Sequence, residues 1–128
     1  MNNEKYSLSA GYENIFRLAE APNTATKVLA IGYLTEKGRT SADWWTVVLK
    51  EVPATVLLYL EGKIENWFAI TDKPGVVFLM NVDNIPDANN LLERLPFVAL
   101  DMMEFGLIAL GPPSPLRLLL DAVAVSEN

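Results

Sequence analysis

The chain has no cysteine and no histidine among its 128 residues. Without cysteine there are no disulfides, thiolate metal sites, iron–sulfur clusters or cysteine nucleophiles. The missing histidine excludes more. Histidine is the commonest metal ligand and the usual acid–base group near neutral pH, so zinc-hydrolase, His-ligated haem and Ser-His-Asp chemistry are out of reach of one chain. Acid–base work falls to Asp, Glu, Lys or Tyr with shifted pKa values. Positive charge is also scarce, with 10 Lys and Arg against 16 Asp and Glu and a net charge of −6. That balance argues against general affinity for nucleic acid or anionic membrane. No apolar run approaches the roughly 20 residues of a membrane-spanning helix. The opening residues, MNNEKYSLSAGYEN, lack the apolar core of a signal peptide. A cytoplasmic protein is expected.

What is present is apolar. Hydrophobic residues make up 51% and charged residues 20%, so some of this apolar surface is expected to be covered by another subunit. The length fits one domain with a real core. Residues 1–26 read as an N-terminal arm with a short helix over about Ala10–Ala21, ended by Pro22. Residues 27–112 form the body. Residues 113–128 are a tail, in which Leu116–Val125 follows the Pro-rich segment as a short amphipathic helix.

Within the body, Lys27–Thr35 reads as a strand and Glu36–Thr40 as a loop. A helix is expected from Ser41 to Glu61, capped by Ser41 or Thr40 and closed by Gly62. Pro53 inside it predicts a kink or two abutting helices. Trp45, Leu49, Val52, Val56 and Tyr59/Leu60 form its stripe at helical spacing, with further apolar residues off it, so more than one side is expected to be covered. Ile64–Thr71 and Val76–Val82 read as strands joined through Asp72-Lys73-Pro74-Gly75, an antiparallel hairpin. Strict alternation places Ile64, Asn66, Phe68 and Ile70 on one face and Trp67 on the other. Asp83 or Asn84 caps a helix over about Ile85–Leu95, which Pro96 stops, and Phe97–Leu110 is a long last strand.

The order β-α-β-β-α-β is the ferredoxin-like plan, an α+β fold with a four-stranded antiparallel sheet and both helices on one face. The open face of such a sheet normally alternates with polar residues. Here the strands are largely apolar on both faces, so a second sheet is expected against the first, making a dimeric α+β barrel.

Several stretches resemble one family. These are Val52-Pro53-Ala54-Thr55-Val56, Leu58 through Ile64, Trp67, Pro74 through Phe78, Leu92 through Phe97, Glu104, and Leu110-Gly111-Pro112. Together they resemble the muconolactone-isomerase-like proteins of the dimeric α+β barrel superfamily, over about Val28–Pro112 for fold and Val52–Pro112 for motifs. The resemblance implies a homodimer or a higher even oligomer through the sheet face, a cavity between sheet and helices, and a proton-shuttling isomerase without a cofactor. It carries over Lys63 and Glu104 as functional positions.

Glu104, set among Met102, Met103 and Phe105, is the candidate proton shuttle, because partial desolvation raises a carboxyl toward neutral pH. Its bland alternative is an ion pair at a strand edge. Lys63 is the candidate electrostatic partner, or an ordinary cation at a helix C-terminus. Trp44, Trp45, Tyr59 and Trp67, with Met102 beside Glu104, are candidates to line an apolar pocket, or they are core. Asp101 is expected on the opposite face of the last strand, at the dimer interface. Two functions follow. One is a cofactor-independent isomerase on a small unsaturated or aromatic-derived substrate. The other is a non-catalytic dimeric module that binds a small apolar molecule or assembles with partners.

Overall fold

The computed structural model describes residues 24–112; the helices expected in the arm and tail lie outside the described residues. The elements are β1 (Lys27–Leu34), α1 (Glu36–Thr40), α2 (Trp44–Leu60), β2 (Ile64–Ala69), β3 (Gly75–Met80), α3 (Ile85–Leu92), α4 (Pro96–Ala99) and β4 (Met103–Leu110). The strands form one antiparallel sheet in the order β2-β3-β1-β4. The body is therefore α+β, compatible with the ferredoxin-like plan. Among the described residues no helix is long and apolar enough to cross a membrane.

One sheet face carries the core. Val28 and Ala30 of β1, Phe78 and Met80 of β3 and Ile64 of β2 pack with Leu58 of α2, Ala88 and Leu92 of α3, and Leu95. A second cluster joins Val47 of α2 to Phe97, Met102 and Met103. The other face carries Tyr33, Phe68, Glu104 and Ile108, all exposed.

Four local features depart from the pattern expected of the sequence. Glu36–Thr40 is a short helix, because the Thr35 hydroxyl caps it, accepting from the Gly38 N–H at 3.1 Å and donating to the Asp101 carbonyl at 2.7 Å. Gly38 lies directly on the Met102 carbonyl, where a Cβ has no room. Second, α2 begins at Trp44 and runs through Pro53 as one helix, not two. Gly62 follows its C-terminal residues at φ 77, as a glycine closing a helix does.

Third, β2 has a bulge at Glu65: Ile64 pairs with Met80 and Asn66 with the adjacent Leu79. The extra residue resets the alternation, so Ile64 and Trp67 share the helix-side face. Fourth, Phe97–Ala99 is helical, not strand. Leu95 is extended (φ −79, ψ 131), as a residue before proline prefers, and Pro96 then starts α4 rather than merely ending α3. Asp101 is accordingly not in the strand; it is an exposed turn residue at φ 58.

The phase of α2 is the feature that decides where a site can lie. Its buried residues are Val47, Glu51 and Leu58, whereas Leu49 is 61% exposed. Leu58→Ala should lower the unfolding free energy by about 2–5 kcal/mol, the range for a buried leucine. Leu49→Ala should change it by no more than about 0.5 kcal/mol. Urea denaturation of both variants checks the phase; equal losses would contradict it.

Candidate functional site

The inward side of α2 is the row Trp44, Val47, Val48, Glu51, Ala54, Thr55 and Leu58, all buried or half-buried. Each member has others three or four residues from it, so they share one side of the helix. Between this row and the sheet lies a cavity of about 310 Å³. Val48, Glu51 and Thr55 line it from α2, with Trp44, Val52 and Val56 at its flanks. Trp67, Val76, Phe78 and Met103 line it from the sheet, and Phe97 closes it from α4. The bulge at Glu65 is what brings Trp67 to this side. Trp44 stands tilted against Phe97 at 6.2 Å between ring centroids.

Glu51 is the one titratable side chain among the described lining residues. It is 8% exposed, and its Oε2 accepts the Phe97 backbone N–H at 3.0 Å. That N–H is one of the donors that a helix start leaves without a partner, and Leu95 offers no side-chain cap. The carboxyl of α2 thus caps α4 from across the core. Its other oxygen, Oε1, accepts no hydrogen bond from a described residue, and it keeps accessible surface, since no described buried side-chain oxygen lacks a partner. Burial raises the Glu51 pKa above the usual carboxylate range, opposed by the Phe97 hydrogen bond. Thr55 adds no free donor, because its hydroxyl already donates to the Glu51 carbonyl at 3.0 Å.

The residues singled out in the sequence are distributed differently. Trp67 lines the cavity. Trp45 does not: it is 64% exposed and stacks on Trp44 from outside. Tyr59 is on the outer side, edge-on to Trp67 at 4.8 Å. Met102 is buried in the second core cluster, away from the lining. Glu104 is exposed on the open sheet face, paired in register with Tyr33, in an open depression of about 530 Å³ shared with Ile31 and Gly106.

Lys63 is exposed beyond the end of α2, its backbone N–H closing onto the Leu58 carbonyl at 2.9 Å. The neighbouring Ile64 is in register with Met80 and so with Val28, whereas Glu104 is opposite Tyr33, at the far end of β1 and on the other edge strand. The two positions are separated by on the order of 20 Å. They make no joint site, because strand alternation turns Glu104 away from the helices.

Glu51 was missed for a physical reason. A helix apolar on all sides gives hydrophobicity no phase, and the stripe through Trp45 and Leu49 reads as well as the true one. The available signal was the polar pair Glu51 and Thr55, four residues apart, in an otherwise apolar segment. No protein-family model matches the chain, and no curated protein matches it.

The raised carboxyl has a signed consequence for stability. Below the ordinary carboxylate range Glu51 is protonated in both the folded and the unfolded chain and contributes nothing. As pH rises the unfolded chain ionises first, so the fold loses stability until Glu51 ionises in place. Glu51→Gln keeps an acceptor for Phe97 and has no charge to bury. It should melt higher than the parent at pH 7, with the gap closing as pH falls to about 3.5, below the ordinary glutamate value. Thermal melts across pH check this; a constant gap would contradict it.

Proposed function

We propose that this chain binds a small apolar molecule in the cavity between α2 and the sheet, as a homodimer joined through the open sheet face. The observation that carries the binding reading is one buried carboxyl set in an apolar, aromatic-lined cavity of about 310 Å³. An apolar cavity of roughly half that size already holds benzene, so a one- or two-ring compound fits. Binding sites of this kind are mostly hydrophobic, with few polar groups to fix orientation; here Glu51 is that group. The dimer reading rests on the open face, where Phe68 is 58% and Ile108 48% exposed beside Tyr33. An apolar sheet face of this kind is ordinarily covered.

A second reading has its own support. A carboxyl raised toward neutral pH can both take and return a proton, which is what an isomerase without a cofactor needs. Glu51, rather than Glu104, would remove a proton from carbon alpha to a carbonyl, leaving a dienolate. It would then return that proton at the gamma carbon, so that the double bond moves and nothing else is consumed. Against this, no described lining side chain is positively charged, and the donors beside Glu51 are the neutral indole N–H groups of Trp44 and Trp67, a weak match to an enolate oxygen, the charge such a reaction most needs to stabilise. Binding is therefore the leading reading.

Xenon tests the cavity without assuming a ligand. Crystals pressurised with xenon should show it among Val48, Val76 and Phe78, and Val48→Phe should abolish it; no xenon there contradicts the binding reading. Solvent deuterium washed into a β,γ-unsaturated lactone, lost in Glu51→Gln but kept in Glu104→Gln, would decide for the isomerase. For assembly, sedimentation equilibrium should give twice the 14.2 kDa chain mass, and Phe68→Glu should give the single mass. A monomeric parent sinks the dimer.

A further inference from the structure

The side chains around the cavity restrict what it can hold. Among the described lining residues none is positively charged, and Glu51 alone is titratable. An anion entering there loses its hydration and gains no positively charged partner. Hydrogen-bond donors are few. The Thr55 hydroxyl is spent on the Glu51 carbonyl. The Phe97 N–H is spent on Glu51 Oε2. A neutral carboxyl has one O–H, and with Oε2 engaged as the acceptor, that O–H sits on Oε1, the accessible oxygen of a residue that lines the cavity. The Glu51 O–H is thus presented from walls made of Trp44, Trp67, Phe78 and Phe97, of which the two indoles carry one neutral N–H each.

Resting on the binding reading above, we propose that the cavity selects a neutral, flat carbonyl compound, an aryl or cyclic ketone or ester, and rejects the corresponding carboxylate. The ligand's carbonyl oxygen accepts the Glu51 O–H, and its ring lies among the aromatic walls. Burial supports this by keeping the carboxyl protonated to higher pH than usual. Among the described residues no charged group is buried beside it. On α2 and its two caps Asp43, Lys50, Tyr59 and Glu61 are exposed. On the elements around it Glu36, Lys37 and Arg39 of α1, Glu65 of β2 and Asp101 before β4 are exposed too. Ionisation of Glu51 removes the donor, so the affinity for such a ligand falls as pH rises.

Calorimetric titration of the full chain with acetophenone, ethylbenzene and benzoate tests this, the three probes being close in size. Acetophenone should bind about fivefold tighter than ethylbenzene, the effect of one net hydrogen bond, and at least tenfold tighter than benzoate at pH 7. Its affinity should drop with rising pH in the parent and stay level in Glu51→Gln, whose amide keeps both a donor and the acceptor for Phe97. Val48→Phe, which fills the cavity, should abolish binding while circular dichroism stays unchanged. Benzoate binding as tightly as acetophenone, or a pH response surviving in Glu51→Gln, overturns the neutral-ligand assignment and leaves the cavity reading standing. Failure of all three probes to bind overturns both.

Discussion

The hydrogen bond from the Phe97 N–H to Glu51 Oε2 ties together the parts that make the site. It spans from the middle of α2 to the first turn of α4. A four-residue helix has little stability of its own, and α4 lacks a local cap. The carboxyl supplies the cap, and α4 in turn places Phe97 against Trp44 as one wall of the cavity. The same bond satisfies only one oxygen. A side chain that is costly to bury is thereby held among apolar lining residues with its second oxygen accessible, the arrangement in which a carboxyl's proton is retained and its O–H can be offered to a ligand.

Two apolar surfaces remain outside this arrangement. One is the open sheet face, with Tyr33, Phe68 and Ile108. The other is the outer side of α2, where Trp45, Leu49 and Leu60 are exposed. Both account for the high apolar content of a small chain. The sheet face is the flatter and more continuous of the two, built from four hydrogen-bonded strands, and it meets the geometric need of sheet-on-sheet packing. Glu104 and its neighbour Tyr33 are on this face, so their role, if the faces pair, belongs to assembly and not to the cavity.

Much of the fold was legible because local signals agreed with it. The Asn84 cap with Pro86 and Asp87 behind it and the closing Gly62 act over a few residues, and each stands where its chemistry requires. The misread parts depended on distant contacts. Thr35 caps α1 while bonded to Asp101, 66 residues away. The bulge at Glu65 exists only in the pairing with β3. The helical turn at Phe97–Ala99 is capped from 46 residues back. Of the site, Trp67 was legible as an aromatic near a cavity. Glu51 was not, because the inward side of α2 is chosen by what packs on it, and the helix's own composition leaves that choice open.

The central claim is that Glu51 is a desolvated carboxyl facing an apolar cavity. Carbon-13 NMR titration of the glutamate side-chain carboxyls tests it most directly. Glu51 should titrate with a midpoint above the ordinary glutamate value, and acetophenone should raise that midpoint further by binding the protonated form. A Glu51 midpoint at the ordinary glutamate value, unmoved by the ligand, would contradict it.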